Sequence, residues 1–310
     1  MIMHRNDQTL AIRALKSAAP YIRMYKGKTF VVKAGGGVFA DATATRVLVE
    51  QIAILHYFGV RVVLVHGGGP QLTELSTALG VPTRMVEGRR VTDQQAIDVT
   101  SMVLNGLINT RVLGICRDLN IEAVGISGVD AGLVRAHRRA PVRTGGGELV
   151  DFGFVGDIDQ VDTSVLKKLL DNGLMPVVSP LSADESGTLL NINADTVAAA
   201  LGAALGAEKL ILCTGAPGIL GELSDPGSLI SYTDLSGLRR LREEGRIAAG
   251  MLPKAKAIED AIRGGVRRVH VVSYQSPEGI LGEVFTNEGT GTMIVADVNA
   301  LPLAEQQSAP

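Results

Sequence analysis

The chain of 310 residues is long enough for one large α/β unit or two closely packed halves. Lys and Arg number 30 against 32 Asp and Glu, a formal net charge of −2 spread along the chain, which argues against a nucleic-acid partner. Cys116 and Cys213 stand far apart in the sequence, which argues against a disulfide framework and a cysteine zinc site. No apolar run is long enough for a membrane span, so we expect a cytoplasmic protein without a membrane partner.

The first predicted element is a helix. Residues 8–25 carry apolar side chains at helical spacing, which predicts an N-terminal helical arm over residues 1–25 that ends or kinks at Pro20. The pattern then alternates between strand TFVVK, helix TRVLVEQIAILHYFG, strand VRVVLVHGGG and helix PQLTELSTALG. Strands that alternate with helices form parallel sheets, so we expect an α/β fold.

The middle of the chain departs from this alternation. Two helical stretches, DQQAIDVTSMVLNG and INTRVLGICRDLN, and the strand EAVGIS lead into a polar, Gly-rich region over residues 128–162. That region predicts antiparallel hairpins, with RTGGGE as a flexible tip and a candidate lid. Strands and helices then resume, which indicates a soft boundary between residues 26–190 and 191–300 and a disordered tail over 301–310.

Glycine clusters end the first two predicted strands. Gly35 to Gly37 follow Lys33, and Gly67 to Gly69 follow His66. The carboxyl ends of parallel strands meet at one edge of a sheet, where ligands bind. Glycines there expose backbone N–H groups, and a helix that begins at Pro70 adds its positive dipole end, so the pair predicts a cradle for an anion. Either cluster alone could be only a tight turn; two at equivalent positions favour binding.

Two lysines and one acid are placed where they could serve that anion. Lys33 precedes the first glycine cluster with only Ala34 between them, and Lys254 falls in the first turn of a predicted helix, where the dipole disfavours a cation. In NINAD, Asn191 and Asn193 share one face of a strand and Asp195 begins a helix, although an Asp or Asn there could simply cap that helix. Positive charge around a positioned phosphoryl group is what phosphoryl transfer needs.

The GRRVTD segment supplies Arg89 and Arg90 just before another predicted helix. An arginine can bind a carboxylate through two parallel hydrogen bonds. The alternative interpretation is that each is a solvated arginine in a loop. The residues therefore predict phosphoryl transfer involving a carboxylate-bearing substrate, with Mg²⁺ carried by the nucleotide and no metal site in the protein itself.

Several segments occur in an order shared with a known family: FVVKAGG, VVLVHGGGPQ, GRRVTD, VGISGVDAGL, DFGFVGDI, NINADTVA, GMLPKAKAIEDAIRGGV and FTNEGTGTMI. Through nearly its whole length the chain resembles the amino acid kinase superfamily, and within it the N-acetylglutamate kinases of arginine biosynthesis. The resemblance implies an open three-layer αβα sandwich with a mainly parallel central sheet. It implies an amino-acid-binding half over 26–190 and a nucleotide-binding half over 191–300.

The same resemblance implies the reaction and the roles of individual residues. ATP with Mg²⁺ would phosphorylate the side-chain carboxylate of N-acetyl-L-glutamate, giving N-acetyl-L-glutamyl 5-phosphate and ADP. The implied catalytic residues are Lys33, Asp195 and Lys254. The implied substrate-binding residues are Gly35, Gly36, Gly68, Gly69, Arg90, Asn191 and Asn193. The implied nucleotide-binding residues are Thr214, Gly218, Gly250, Met251 and Lys254.

The N-terminal arm resembles the extra helix that interlaces dimers in the arginine-inhibited, hexameric members. This implies a homo-oligomer, a trimer of dimers, with L-arginine as feedback inhibitor at His270, Glu283 and Gly289. Two residues depart from the family pattern: Gly215 where an aspartate is usual beside the nucleotide, and Arg89 where an apolar residue is usual. Three alternatives stay open, namely kinases for N-succinylglutamate or N-acetyl-aminoadipate, and a non-catalytic sensor of arginine or acylamino acids.

Overall fold

A computed structural model of the protein describes residues 5–298. The helices are α1 (Arg5–Tyr25), α2 (Ala42–Tyr57), α3 (Gly69–Ala78), α4 (Gln94–Ser101), α5 (Asn109–Asp118), α6 (Ser164–Asp171), α7 (Ala194–Leu205), α8 (Leu235–Glu243), α9 (Leu252–Arg263) and α10 (Gly279–Phe285). The strands are β1 (Thr29–Ala34), β2 (Arg61–His66), β3 (Arg84–Val86), β4 (Arg89–Val91), β5 (Ala123–Ser127), β6 (Val134–Arg138), β7 (Val142–Arg143), β8 (Leu149–Val150), β9 (Gly156–Val161), β10 (Met175–Ser179), β11 (Leu181–Ala183), β12 (Leu189–Asn191), β13 (Lys209–Thr214), β14 (Tyr232–Asp234), β15 (Arg268–Ser273) and β16 (Thr292–Val295).

The central sheet has the strand order β14, β16, β15, β13, β1, β2, β10, β5. All neighbouring pairs are parallel except β15 and β16, which are antiparallel. The predicted α/β class with a mainly parallel sheet is therefore confirmed. Pairing of β1 with β13 makes one continuous sheet of the two predicted halves, and the expected boundary at residue 190 falls within β12.

Alternation along β1 sets the layers. Phe30, Val32 and Ala34 pack into the core under α2, α5 and α10, whereas Val31 packs into the opposite core under α6, α7 and α9. Side chains of a strand alternate between its faces, so Lys33 shares the side of Val31 and points toward the α7 and α9 layer. The sheet lies between two helical layers, as the resemblance implied.

The N-terminal arm is a single helix. Pro20 lies inside α1, so of the two expectations, that the helix ends or kinks there, the first is wrong. Its last residue, Tyr25, is buried and meets Phe30 edge to face, with ring centroids 5.2 Å apart, and this packing holds the turn beyond the proline. Apolar side chains near the other end of the arm stay exposed, Leu10 at 68% and Leu15 at 57%. The predicted disordered tail, 301–310, lies outside the described residues.

One helix is longer than the sequence pattern indicates. A π-helical segment, Met102–Ile108, joins α4 and α5 into a continuous helix from Gln94 to Asp118. By length and composition alone this helix could cross a membrane, which corrects the expectation that no stretch reaches that length. Its face carrying Val103 and Val112 is fully buried against the sheet, as in the core helices of soluble proteins.

The Gly-rich middle region forms the predicted hairpins. Strands β6 and β9 are antiparallel and join β11 and β12 in a second sheet, and β7 pairs with β8 around the predicted RTGGGE tip. At this tip the Gly145 N–H donates to the carboxylate of Glu87, 2.6 Å away, in the turn between β3 and β4. The hairpin tip therefore reaches the segment that carries Arg90.

Candidate active site

The two glycine clusters meet at the carboxyl edge of the sheet, as predicted. The side-chain amide of Gln71 donates to the carbonyl of Gly36, 2.9 Å away, and the Gly67 N–H donates to the carbonyl of Ala34 over 2.8 Å. A Cβ built on Gly36 would lie 2.7 Å from Cδ of Pro70. Because no side chain fits there, glycine lets the two loops touch.

In the second glycine cluster, Gly68 is packed against neighbouring side chains and Gly69 is not. A Cβ on Gly68 would lie 2.6 Å from a methyl of Ile108 in the π-helical segment, whereas one on Gly69 would meet nothing within 4 Å. Helix α3 begins at Gly69, one residue before the expected Pro70, which lies in its first turn. The positive end of the α3 dipole thus lies at this edge, with open space on the Cβ side of Gly69, an arrangement suited to an anion.

Lys33, Asp195 and Lys254 come together next to these loops. Nζ of Lys33 lies 2.7 Å from Oδ1 of Asp195, and Nζ of Lys254 lies 3.1 Å from Oδ2 of the same carboxylate. The side chains of Lys33 and Asp195 are 6% and 5% exposed, and that of Lys254 is 20% exposed. A Cβ on Gly35 would lie 3.7 Å from Nζ of Lys33, so the lysine extends along the first loop.

The electrostatics of this cluster leave a surplus of positive charge. Burial opposes ionisation of Asp195, but the ammonium groups of Lys33 and Lys254 outweigh it and hold the pKa of Asp195 below its usual value. Burial also lowers the pKa of Lys33, and Lys254 adds to this, while Asp195 acts in the opposite direction. One carboxylate holding two ammonium groups has a net charge of +1, which an incoming phosphoryl oxygen would balance.

The asparagines of NINAD have different roles in the fold. Asn193 is the N-cap of α7, its side-chain oxygen accepting from the N–H groups of Asp195 and Thr196 at 2.8 and 3.2 Å. The capping alternative is therefore confirmed for Asn193, although the cap uses only the oxygen of its amide. Asn191 ends β12, and its backbone N–H donates to Phe154 over 2.8 Å, next to the hairpin sheet.

Arg90 reaches the start of α3. Its guanidinium donates to the hydroxyl of Thr73 at 2.7 Å and to that of Thr83 at 3.1 Å, and it approaches the carbonyl of Gly69 at 3.4 Å. Burial lowers the pKa of this half-buried arginine. Arg89, by contrast, is exposed. Arg90 is therefore the arginine that borders the second glycine loop.

The predicted nucleotide residues lie on the other half of the sheet edge. Thr214 ends β13 and is buried. Gly250 and Met251 lie in a 3₁₀ turn ahead of α9, and Gly250 is exposed. Gly218 is buried, since a Cβ there would lie 2.6 Å from both Leu229 and Thr292. Thr214 therefore lies at this edge, Gly250 and Met251 directly precede the helix that brings Lys254 to Asp195, and Gly218 has a packing role.

Sequence reasoning missed Tyr274 at the same edge. It directly follows β15, and its backbone N–H donates to the carbonyl of Thr214 over 2.9 Å. Its ring reaches back to Gly37 in the first glycine loop. Its position after a buried parallel strand, like that of the glycine clusters, is the signal that could have indicated it.

The residues expected to bind arginine form a second buried cluster. His270 and Glu283 are 1% and 7% exposed, and Nδ1 of His270 lies 2.7 Å from the Glu283 carboxylate. The other carboxylate oxygen accepts from the N–H groups of Thr290 and Gly291 at 2.7 and 2.9 Å. Gly289 has a left-handed φ of 67°, and a Cβ on it would lie 2.7 Å from that oxygen.

Lys209 completes this second cluster, and the sequence pattern did not indicate it. Its Nζ lies 2.8 Å from Nε2 of His270 and 5.1 Å from the ring centroid of Tyr25 in α1. Burial, with Lys209 adding to it, lowers the pKa of His270 to about 4. Burial acts against ionisation of Glu283, but hydrogen bonds from His270 and backbone groups lower its pKa to about 2. A neutral His270 thus donates to Glu283 and accepts from Lys209.

Comparisons with known proteins agree with this geometry. The sequence model described as the amino acid kinase family matches residues 28–273. Acetylglutamate kinase from Myxococcus xanthus is 48% identical over 92% of this chain and 94% of its own. Acetylglutamate kinase from Archaeoglobus fulgidus is 40% identical over 91% of this chain and 98% of its own.

Solved structures show the same fold. N-acetylglutamate synthase from Neisseria gonorrhoeae, complexed with coenzyme A and N-acetyl-glutamate, superposes with a TM-score of 0.80 at 26% identity over 92% of this chain, which spans 63% of the synthase chain. Carbamate kinase from Giardia lamblia bound to AMP-PNP has a TM-score of 0.62 at 18% identity, covering 87% of this chain and 99% of its own. The chain belongs to the amino acid kinase family, and within it to the acetylglutamate kinases.

Proposed function

We propose that the protein transfers the terminal phosphoryl group of ATP to the side-chain carboxylate of N-acetyl-L-glutamate, a step of arginine biosynthesis, in the cytoplasm. The observation that carries this proposal is the contact of Asp195 with Lys33 and Lys254 beside two adjoining glycine loops. In phosphoryl transfer the protein contributes mainly position and positive charge. The net positive cluster supplies that charge, and the loops supply N–H donors.

Asp195 acts as a positioning residue in this mechanism. Its pKa lies below the usual value, so it stays ionised at neutral pH and holds both ammonium groups with one oxygen each. Neither lysine then has to find its position when charge develops on the transferring group. Such preorganisation is what makes electrostatic stabilisation effective in a water-poor site.

The two substrates would approach this cluster from opposite sides. Arg90 and the open space at Gly69 support binding of the amino-acid substrate on the β2 side, with its α-carboxylate on Arg90 and its acylamino group toward Asn191 and Asn193. Thr214, Gly250 and Met251 would face the nucleotide on the β13 side.

We expect magnesium at this site as part of the nucleotide. Within residues 5–298 no group of three His, Cys, Asp or Glu side chains could hold a metal ion, and both oxygens of Asp195 already contact lysines. Bound to the phosphates of ATP, Mg²⁺ would neutralise part of their charge. The residues of the chain would bind and orient the remaining oxygens.

A coupled assay of ADP release tests the proposed reaction. N-acetylglutamate, N-succinylglutamate and N-acetyl-aminoadipate are offered separately with MgATP, and we expect only N-acetylglutamate to stimulate ADP formation strongly. A stronger response to either of the other two would reassign the substrate. If none of the three stimulates ADP formation but ligands still shift the thermal melting temperature, the protein is a sensor rather than an enzyme.

We also infer that L-arginine inhibits this enzyme and that the arm assembles three dimers into a hexamer. The exposed apolar residues of α1 supply a surface for a second copy, and the ring of Tyr25 connects this arm to Lys209, His270 and Glu283. The synthase from Neisseria gonorrhoeae, with a TM-score of 0.80, is also known complexed with L-arginine. Deletion of residues 1–20 should abolish both arginine inhibition and hexamers in light scattering; an unchanged arginine response would contradict the inference.

A further inference from the structure

Tyr274 spans three neighbouring strands at the carboxyl edge of the sheet. It follows β15, its backbone N–H bonds to the end of β13 at Thr214, and its ring reaches the loop after β1. The side chain is half-buried. The phenol therefore lies where the nucleotide side of the edge meets the first glycine loop.

Two glycines make room for this ring. A Cβ on Gly37 would lie 2.6 Å from the Tyr274 hydroxyl oxygen and 3.4 Å from the adjoining ring carbon, Cζ. A Cβ on Gly215 would lie 3.3 Å from the same oxygen. Gly37 does not have a positive φ; it lies at −60°. Space beside Tyr274, rather than backbone conformation, is what glycine provides at position 37.

The hydroxyl of Tyr274 has no hydrogen-bond partner within residues 5–298. A tyrosine hydroxyl can donate one hydrogen bond, and this one lies beside the first glycine loop, next to the lysine cluster that would attract an anion. Because residue 215 is a glycine, this position places no carboxylate beside the hydroxyl, where it would repel a negatively charged ligand. We propose that the Tyr274 hydroxyl donates a hydrogen bond to a phosphate oxygen of the bound nucleotide.

The position of the ring favours the nucleotide over the amino-acid substrate. Tyr274 belongs to the β13 and β15 side, whereas Arg90 and α3 lie beyond β1 on the β2 side. The ring packs against the core under α2 and α10, on the other face of the sheet from Lys33, and its hydroxyl lies at the carboxyl edge beside Gly37 and Gly215, where a phosphate chain directed at Lys33 would pass. Tyr274 is thus a nucleotide-binding residue of this chain, and the assignment rests on the proposed use of ATP.

Calorimetric titration with AMP-PNP and Mg²⁺ tests the assignment without turnover. Loss of one hydrogen bond to a charged group in Tyr274→Phe should raise the Kd about tenfold. The KM for N-acetylglutamate should stay within about twofold. Tyr57→Phe is the matched control, since Tyr57 bonds to the carbonyl of Leu119 in the outer helical layer, and it should leave the Kd unchanged. Binding by Tyr274→Phe within about twofold of the wild type would overturn the proposal.

A second variant tests the packing argument. In Gly37→Ala the new methyl group would displace the hydroxyl, so its Kd should rise about as much as in Tyr274→Phe. In the double variant, where the oxygen is absent, Gly37→Ala should add no more than about a further twofold. If the increases in Kd of the two single variants multiply in the double variant, Gly37 does not act through Tyr274 and the packing argument is wrong.

The outcomes separate this inference from the proposed function. Wild-type protein that binds AMP-PNP but releases no ADP with any acylamino acid contradicts the kinase reaction alone. Wild-type protein that binds no AMP-PNP contradicts both. Circular dichroism and thermal melting of Tyr274→Phe should match the wild type, because the ring that fills the space stays in place.

Discussion

Lys33 and Lys209 are buried lysines on adjacent strands, yet their surroundings differ in charge. Lys33 lies at the carboxyl end of β1 and Lys209 at the amino end of β13, so they occupy opposite edges of the sheet. Lys33 and Lys254 share the single carboxylate of Asp195, so the first cluster has a net charge of +1. In the second cluster the positive charge of Lys209 and the negative charge of Glu283 cancel, with a neutral His270 between them. The charge balance of each cluster, more than its residue types, distinguishes a site that attracts an anion from a closed network.

The largest effect is expected from removing Lys33. Lys33→Ala removes one of two cations that face the transferring phosphoryl group, so kcat should fall roughly 10²- to 10³-fold, about 3–4 kcal/mol of transition-state stabilisation. Steady-state kinetics with N-acetylglutamate measures it. Near-normal turnover would remove Lys33 from the mechanism.

Lys209→Met is the matched control for that prediction. It removes a lysine of similar burial, 3% exposed against 4% for Lys33, from the other cluster. Its kcat in the absence of arginine should stay within about threefold of the wild type. An equal loss of kcat in both variants would show that burial, rather than proximity to the glycine loops, sets the effect.

The next largest effect concerns the stability of the second cluster. Glu283→Gln keeps the shape of the side chain but replaces a charged acceptor of three donors, from His270, Thr290 and Gly291, by an amide that must turn an N–H toward one of them. The free energy of unfolding should fall by about 1.5–3 kcal/mol, measured by urea denaturation. The contact between Gly289 and Glu283 makes Gly289→Ala a second test in the same direction. A stability equal to that of wild type in both variants would contradict the closed-network interpretation.

Acid should weaken the second cluster through His270. Its pKa is about 4 in the fold, below the usual histidine value of 6.5, because of burial first and then the charge of Lys209, with Glu283 opposing and Arg268 adding slightly. The unfolded chain therefore takes up a proton first as the pH falls, and stability present above pH 6.5 is lost toward pH 4, by about 2 kcal/mol at pH 5. His66, with a pKa also lowered to about 4 by burial, contributes in the same window.

The comparison between wild type and His270→Asn isolates the contribution of His270. Unfolding free energies are measured from pH 7 to pH 5, where Glu283 stays ionised because its pKa is about 2. The slope against pH should be smaller in the variant whatever its absolute stability. Parallel slopes would mean that folding does not lower the pKa of His270, because the group would then bind the same number of protons in the folded and unfolded chain.

The sequence predicted the first cluster better than the second for a physical reason. Lys33 and Lys254 adjoin glycines or a helix start, and Asp195 follows an alternating strand, so local patterns point to a common edge. Lys209 and His270 lie within β13 and β15, and their contact depends on strand order that no local pattern contains. The family resemblance indicated His270 and Glu283 but not Lys209.

Short elements were the main part of the fold that the patterns missed. The segment after β15 contains the short elements α10 and β16, and β14 pairs beside β16 at the sheet edge. Strands of three or four residues, such as Tyr232–Asp234, have too few positions to show alternation. The resemblance implied the layers, and long strands such as β1 and β2 were predicted from their own residues.

The smallest expected effect is a coupling between Lys209 and the arm. The ammonium of Lys209 lies 5.1 Å from the ring centroid of Tyr25, a cation–π distance for a desolvated pair. A double-mutant cycle of Tyr25→Leu and Lys209→Met should give an interaction energy of about 0.5–2 kcal/mol, measured by urea denaturation. The same cycle between Tyr25→Leu and Lys33→Ala should give none, because Lys33 lies on the opposite face of the sheet. Equal coupling in the two cycles would mean that the arm affects the whole sheet rather than contacting the second cluster specifically.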